Sequence, residues 1–158
     1  MAEEQGNGVT ILVDADACPV KDEIYKVALR HDVPVVIVSN SFIRTPPHRL
    51  ISAVIVSDGF DAADDYVAEQ AGPKSIVITA DILLAERCIK VGASVLGSNG
   101  KPFTENSIGG AIATRAIMAD LRAGAVGQNV GGPAPFSKAD RSRFLSALDQ
   151  TLVRLKKA

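Results

Sequence analysis

The sequence contains only two cysteines, Cys18 and Cys88, which lie far apart and show no Cys-x-x-Cys spacing. It therefore predicts neither a disulfide framework nor a zinc site, and a reducing cytoplasm suits it best. Long hydrophobic runs are also lacking, since stretches such as PVVIVS and SIVIT are far shorter than the roughly 20 residues that cross a bilayer. The N-terminus, MAEEQGNG, is acidic and polar, so we expect neither a membrane segment nor a secretory signal.

The formal net charge of the chain at pH 7 is only -1. The charges are unevenly distributed, however. Residues 1–100 carry 8 basic and 14 acidic side chains, whereas the rest of the chain carries 9 basic and 4 acidic ones. An acidic part that can hold cations, followed by a basic part that can hold phosphates, is what an enzyme acting on phosphate esters needs. Ordinary surface charge is the alternative explanation.

Four short segments rich in valine and isoleucine are almost continuously apolar, as strands buried on both faces of a parallel sheet are. They are VTILV, PVVIVS, ISAVIVS and SIVIT, and a fifth segment, ASVLG, follows them. Helical patterns lie between the first and second segments (19–32), the third and fourth (61–72) and the fourth and fifth (81–92). This alternation predicts a three-layer α/β fold in which helices flank a central parallel sheet of four or five strands.

The second and third strands are joined differently, by NSFIRTPPHRL. Pro46 and Pro47 disfavour a helix there, so we expect an exposed loop whose basic side chains include Arg44 and Arg49. Further along, a helix is expected within TENSIGGAIATRAIMADLRAG, and the glycine-rich GAVGQNVGGPAPF is expected to be a linker.

The last segment, SKADRSRFLSALDQTLVRLKKA, predicts an amphipathic C-terminal helix. It opens with the capping-box pattern from Ser137 to Asp140. A length of 158 residues is enough for one sizeable core. We therefore expect one domain over residues 9–158, preceded by a disordered tail over residues 1–8.

Seven aspartates fall where the carboxyl ends of neighbouring parallel strands would form one crevice. Asp14 ends the first strand and Asp81 follows the fourth, while Asp58 is expected to be solvated. Closely packed carboxylates repel one another, and a hard divalent cation such as Mg²⁺ or Mn²⁺ relieves that repulsion. Asp14 and Asp81 are the candidate catalytic residues, and the candidate metal ligands are Asp14, Asp16, Asp61, Asp64, Asp65 and Asp81.

Several of these aspartates also have a structural explanation. Asp61 and Asp81 each begin a helix, where a carboxylate caps free N–H groups. Asp64 and Asp65 are about 100° apart on a helix, so only one of them is expected to face the crevice. Asp14 is harder to explain structurally, because an unpaired charge at the end of a buried strand is costly.

Other side chains are candidates for contacting a substrate. Asn40 ends the second strand, Thr79 offers a hydroxyl, and arginines bind phosphates. Cys18 lies near a helix N-terminus, but neither histidine is close to it in sequence, so we expect a small buried residue rather than a nucleophile. The candidate substrate-binding residues are Asn40, Arg44, Arg49, Thr79, Arg141 and Arg143.

Four motifs of the chain occur together in one known family. They are VDADACPVKDEI, GFDAADDYV, VITADILLA and GGPAPFSKADRSRF. In these motifs and their order, the sequence resembles the YaiI/YqxD family of uncharacterised bacterial proteins over residues 9 to about 155. The resemblance implies a PIN-like (PilT N-terminus) fold, because that family is assigned to a superfamily in which many members are metal-dependent ribonucleases. Their acidic pocket lies at the ends of a parallel sheet.

The resemblance also implies roles for individual aspartates. Asp14 is similar to the aspartate that ends the first strand in PIN domains. Asp64 or Asp65 is similar to the aspartate that opens a later helix, and Asp81 is similar to the one that follows a strand ending in threonine. The resemblance thus supports an aspartate-lined site for Mg²⁺ or Mn²⁺.

The chain departs from the PIN pattern in one place. PIN nucleases usually carry a further acidic residue from an earlier helix, and the corresponding segment here, SNSFIRTPPHRL, contains none. Asp16 or Asp61 would have to replace it for the site to cut. One alternative function is therefore a non-catalytic module that binds RNA or a partner protein through its basic C-terminal part.

The leading hypothesis is a Mg²⁺- or Mn²⁺-dependent nuclease, and by analogy with the superfamily a ribonuclease, in which the metal activates a water that attacks a phosphodiester. No membrane partner is expected, and the oligomeric state stays open. A second alternative is a phosphatase of the haloacid dehalogenase type, because a strand followed by Asp-x-Asp also presents a nucleophilic aspartate and VVIVSN is similar to the second motif of those enzymes. No lysine stands convincingly before the last acidic motif, which counts against it.

Overall fold

The computed structural model of the chain describes residues 8–15, 18–56, 62–109 and 136–157. The strands are β1 (Thr10–Asp14), β2 (Val35–Ser39), β3 (Ile51–Ile55), β4 (Ser75–Ile78), β5 (Ser94–Leu96) and β6 (Pro102–Phe103). The helices are α1 (Lys21–His31), α2 (Ala62–Gln70), α3 (Ile82–Lys90), α4, whose described residues are 105–109, and α5 (Lys138–Lys157).

The predicted α/β sheet is confirmed. The strands form one sheet in the order β3-β2-β1-β4-β5-β6, in which β1 to β5 are parallel. The short strand β6 runs antiparallel to β5 and extends the sheet to six strands. It was not predicted, because two residues are too few to show a periodic pattern.

Helices cover both faces of the sheet, which gives the predicted three layers. The alternation along β1 shows the arrangement: Ile11 and Val13 belong to the core formed with α1 and α5, whereas Leu12 belongs to the core formed with α2 and α3. A central strand of a parallel sheet is apolar throughout because both of its faces are buried in this way. The helical residues of the first core include Ile24, Val27, Phe144, Leu148 and Leu152, and those of the second include Val67, Leu84 and Cys88.

The expectation that every predicted strand is buried on both faces is wrong for β3. Ser52 and Ala53 are exposed, and Ile55 is 50% exposed. The reason is its position, because β3 lies at the end of the strand order and, among the described strands, pairs with β2 alone. An apolar sequence alone does not show which strand takes that position.

The connection between β2 and β3 is an irregular loop, as predicted. Arg44, His48 and Arg49 are exposed on it, while Ile43 packs against the core formed with α1 and α5. Because both strands run in the same direction, the loop carries the chain from the carboxyl edge of the sheet back to the amino edge. Residues near the end of the loop therefore lie far from the ends of β1 and β4.

The C-terminal helix α5 begins with the predicted capping box. The Asp140 N–H donates to Ser137 Oγ at 3.1 Å, and the Ser137 N–H donates to Asp140 Oδ2 at 3.1 Å. The hydrogen bonds that the Asp140 carboxylate accepts from Ser137, above all the one from the Ser137 backbone N–H, hold the pKa of that carboxyl below its usual value. Near its middle, α5 meets the end of α1, where His31 Nε2 lies 2.6 Å from Asp149 Oδ1.

No helix in the described parts of the chain is long and apolar enough to cross a membrane. Of the segment predicted to contain the fourth helix, only 104–109 can be compared, and 105–109 are helical. The remainder of that segment, almost all of the glycine-rich linker and residues 1–7 lie outside the described residues. The assignment of one domain to residues 9–158 stays a prediction.

Candidate active site at the carboxyl edge of the sheet

The strand order reverses between β1 and β4. The chain moves outward from β1 through β2 to β3 and then returns to place β4 on the other side of β1. In open α/β sheets, ligands bind in the crevice at the carboxyl ends of the strands at such a reversal. Asp14 is the last residue of β1, and Thr79 follows β4 directly, so both lie at this switch point.

One hydroxyl group links the two aspartates predicted to be catalytic. Thr79 Oγ1 donates to Asp14 Oδ2 at 2.9 Å and accepts from the Asp81 backbone N–H at 3.0 Å. Thr79 is 2% exposed, so water does not compete for this hydroxyl. The structure therefore gives Thr79 contacts that position Asp14 and Asp81, and its role in contacting substrate stays a prediction.

Asp81 also caps helix α3, which confirms the structural explanation predicted for it from the sequence. Its Oδ1 accepts from the N–H groups of Leu83 at 2.9 Å and Leu84 at 3.3 Å. These bonds satisfy two donors at the helix N-terminus and fix the orientation of the carboxylate. Because capping engages Oδ1, Oδ2 is the oxygen that a cation would use.

The remaining predicted metal ligands are less well placed or lie outside the described residues. Asp65 Oδ1 accepts from Arg87 Nη1 at 2.9 Å in an exposed ion pair between α2 and α3. Asp64, its neighbour on α2, is half-buried and close enough to Cys88 to raise the pKa of that thiol. Among the described residues, no group of three or more histidine, cysteine and acidic side chains could hold a metal ion. Asp16 and Asp61 lie outside those residues.

Arg141 is engaged in a partly buried ion pair. Its Nη1 donates to Glu23 Oε2 at 2.9 Å, and its guanidinium lies 5.1 Å from the centroid of the Phe136 ring. Glu23 belongs to α1, and its side chain is only 10% exposed. Because the guanidinium joins α5 to α1, it has a structural task besides the phosphate binding that was predicted for it.

The other predicted substrate contacts fall at different places. Asn40 directly follows β2 and is exposed at the same edge as Asp14. Arg143 is about half exposed near the start of α5 and donates to Asp140 Oδ1 at 2.9 Å. Arg44 is exposed on the loop after β2. Arg49 lies two residues before the start of β3 and 3.5 Å from Asp32 Oδ1 at the end of α1, so the structure does not bring it to the carboxyl edge.

Neither cysteine has the properties of a nucleophile. Burial raises the pKa of the Cys18 thiol, and the nearby Asp14 carboxylate raises it further. Burial likewise raises the pKa of Cys88 to about 11. Both thiols are therefore protonated at neutral pH, whereas a reactive cysteine needs its thiolate. Cys18 packs against the core formed with α1 and α5, in agreement with its expected packing role.

A cavity of about 490 Å³ lies beside Asp81 at the same edge of the sheet. The residues on either side of Asp81, Ala80 and Ile82, line it, together with the turn that follows β5 and the rings of Phe103 and Phe136. Sequence reasoning did not find this cavity. The two phenylalanines show no pattern in the sequence: Phe103 follows the predicted fifth strand, and Phe136 ends the segment predicted to be a linker.

Sequence reasoning also missed the role of Glu23. No role was predicted for Glu23, whose partner Arg141 is 118 residues away in the chain. No local pattern indicates an ion pair over that separation. The structure shows that Arg141 Nη1 lies in addition 3.5 Å from the Pro19 carbonyl oxygen, so this cluster connects the starts of α1 and α5.

We expect Arg141→Ala to destabilise the protein by about 1–3 kcal/mol, because it leaves the buried Glu23 carboxylate without its cation. The value lies below that of a fully buried pair, since the Arg141 side chain is 43% exposed. Arg143→Ala is the matched control, because its exposed pair with Asp140 is worth only about 0–1 kcal/mol. Urea denaturation measures both changes.

The double variant Glu23→Gln/Arg141→Ala completes this test. Neutralising the buried carboxylate is expected to recover part of the stability lost in Arg141→Ala, because no buried charge then remains without a partner. If Arg141→Ala and Arg143→Ala had equal unfolding midpoints, the Glu23–Arg141 pair would not contribute to the stability of the fold.

Comparison with known proteins identifies similar chains. A model of the "Uncharacterized BCR, YaiI/YqxD family" matches residues 12–154. A UPF0178 protein from Sphingopyxis alaskensis is 71% identical over 147 residues, which cover 93% of this chain and 95% of the relative. A UPF0178 protein from Jannaschia sp. is 56% identical over 156 residues, or 99% and 100% of the two chains. One from Nitrobacter winogradskyi is 57% identical over 150 residues, or 95% and 94%. No solved structure matches the chain at a significant level.

Proposed function

The chain belongs to the YaiI/YqxD family, and on that premise we propose that it is a Mg²⁺- or Mn²⁺-dependent phosphodiester hydrolase that acts on RNA. The observation that carries the proposal is the linkage of Asp14 and Asp81 through the Thr79 hydroxyl at the switch point of the sheet. RNA as the substrate and the PIN-like relationship are parts of the proposal that rest on the resemblance of the motifs alone.

The donors present at this edge fit a hard divalent cation. Asp14 and Asp81 supply carboxylate oxygens, which Mg²⁺ and Mn²⁺ prefer. In the proposed site a third carboxylate comes from Asp16, two residues beyond Asp14, or from Asp61. When bound, the cation would neutralise repulsion among these groups and lower the pKa of a water molecule that attacks the phosphodiester.

The other residues of the edge hold these carboxylates in position. The Thr79 hydroxyl and the N–H groups that open α3 limit the movement of Asp14 and Asp81 before any ligand binds. Such preorganisation lowers the cost of reaching the reactive geometry. In the proposal, Arg143 and Arg44 contact phosphates that flank the cleaved bond, and Asn40 contacts the substrate from the end of β2.

A non-catalytic RNA-binding module is the second candidate. It is favoured by one observation, namely that the described residues contain no group of three side chains able to hold a metal ion. The two candidates differ in a direct way. A hydrolase needs a cation at Asp14 and Asp81, whereas a binding module needs only its basic surface.

A thermal melt with Mn²⁺ tests the proposal. A cation that binds only the folded state at 100 times its dissociation constant stabilises that state by about 2.7 kcal/mol, which raises the melting temperature by roughly 5–10 °C for a chain of this size. We expect this shift for the wild type after removal of metals with EDTA. Asp14→Asn and Asp81→Asn should each lose most of it, because each removes one negative oxygen ligand.

Asp32→Asn is the matched control for the melt. Asp32 is exposed at the opposite edge of the sheet, and its φ of 58° suits asparagine as well as aspartate. Its Mn²⁺ shift should equal that of the wild type. A wild type that binds RNA but melts at the same temperature with and without Mn²⁺ would favour the binding module.

A further inference from the structure

The proposed hydrolysis assigns no role to the cavity beside Asp81. Resting on the proposed function, we propose that this cavity binds one nucleobase of the substrate strand, next to the phosphodiester that Asp14 and Asp81 act on. Its volume of about 490 Å³ lies within the range of pockets for small organic ligands. Three features of the cavity support a base rather than a phosphate.

The first feature is position. Ala80 and Ile82 line the cavity and are the direct sequence neighbours of Asp81. The turn over residues 97–99 lines it as well and follows β5, the strand that pairs with β4. A base in the cavity would therefore be only a short stretch of sugar and phosphate away from the aspartates, as a nucleotide next to the cleaved bond has to be.

The second feature is a pair of aromatic rings. Phe103 and Phe136 line the cavity, and both are half-buried because they pack against the two cores. The Arg141 guanidinium lies over the Phe136 ring, 5.1 Å from its centroid, and is itself held by Glu23. A ring held in this way loses little freedom when a base stacks on it, and stacking tolerates any base because every base has a π face.

The third feature is charge. Asp140 is the one ionisable side chain among the described residues that line the cavity, and no lysine or arginine lines it there. The Asp140 carboxylate is already paired with Arg143, so the described lining offers a phosphate group no cation. Asn99 supplies a neutral polar group: its Oδ1 accepts from the Lys101 N–H at 3.0 Å, which orients the amide so that its NH₂ can donate to a base.

Binding to abasic RNA tests the proposal with the wild-type protein. In buffer with EDTA, so that no cleavage occurs, fluorescence anisotropy compares a short single-stranded RNA with a chain of the same length that keeps every sugar and phosphate but has no bases. We expect the abasic chain to bind about tenfold more weakly, because it loses the stacking of a base on the aromatic rings of the cavity. Equal affinity for both chains would overturn the proposal.

Two cavity variants locate the effect. Phe136→Leu keeps an apolar side chain against the core but removes the ring, and Ser98→Trp places a large side chain in the cavity from the turn after β5. Each should bind intact RNA about tenfold more weakly and abasic RNA as the wild type does. Ser98→Ala is the control, since it changes the same residue but leaves the cavity open.

The outcomes separate this proposal from the proposed function. If RNA is cleaved with Mn²⁺ in an Asp14-dependent manner, but Phe136→Leu and Ser98→Trp leave KM unchanged, the base site is wrong and the hydrolase stands. If the wild type does not cleave RNA, yet prefers intact over abasic chains and loses that preference in both cavity variants, the base site stands and the hydrolase is wrong.

Discussion

Asp14→Asn is expected to lower the rate of Mn²⁺-dependent RNA cleavage by about 10²- to 10³-fold, because a metal held by fewer charges stabilises the transition state by several kcal/mol less. The fold should be unaffected. Asparagine has nearly the same shape as aspartate, and its side-chain carbonyl can accept the hydrogen bond that Thr79 Oγ1 donates to Asp14 at 2.9 Å. The loss should therefore appear in the cleavage rate and in Mn²⁺ binding, with the unfolding midpoint of the metal-free protein preserved.

The measurement compares single-turnover cleavage of one labelled RNA by preparations purified identically. Asp81→Asn should show a similar loss, although part of it can come from a weaker cap of α3, because Oδ1 accepts from two backbone N–H groups. Asp32→Asn, at the opposite edge of the sheet, should cleave as fast as the wild type. Equal cleavage by all four preparations would indicate a contaminating nuclease and would contradict the proposed role of Asp14.

Most of the fold could be predicted because each element has a local signal. The apolar runs gave the five parallel strands, and the helical spacing between them gave α1, α2 and α3. The local signals do not show which strands are neighbours in the sheet. The exposed edge position of β3 and the antiparallel addition of β6 follow from pairing between distant segments, which a pattern of two to five residues cannot encode.

Part of the candidate site could likewise be predicted from local signals in the sequence, and part of it could not. Asp14 and Asp81 could be predicted to share an edge, because ends of parallel strands meet there whatever the strand order. The linking role of the Thr79 hydroxyl depends on β1 and β4 being direct neighbours, which the sequence does not show. Arg49 was also expected at the site, but it lies at the amino edge beside Asp32, because the loop crosses the sheet from the carboxyl edge to the amino edge before β3 begins.

The structure also changes how an arginine variant should be interpreted. Arg141 was predicted to bind phosphate, so weaker RNA binding by Arg141→Ala would have been taken as the loss of a phosphate contact. Its guanidinium is paired with Glu23 and lies over Phe136, a ring of the proposed base site. The same result could thus come from a displaced ring. Arg44 and Arg143 are therefore the better choices for measuring phosphate contacts.

Gly100→Ala is expected to destabilise the protein by about 2–5 kcal/mol, the sum of two separate costs. Gly100 has a φ of +84°, a left-handed conformation that costs an alanine roughly 1–2 kcal/mol. A Cβ atom there would also lie 2.6 Å from the Arg143 carbonyl carbon and 2.7 Å from the Phe144 nitrogen. These are backbone atoms of α5, which cannot rotate away, so the helix has to shift at a cost of about 1–3 kcal/mol.

The shift would reach the candidate site, because the turn at Gly100 contacts α5 close to Arg141 and the Phe136 ring. Gly100→Ala should therefore lower both the urea midpoint and the preference for intact over abasic RNA. Gly72→Ala is the control: nothing lies within 4 Å of its added Cβ, and its φ is not left-handed. That change should be neutral or slightly stabilising. If Gly100→Ala and Gly72→Ala unfolded at the same urea concentration, the close packing of α5 against this turn would be contradicted.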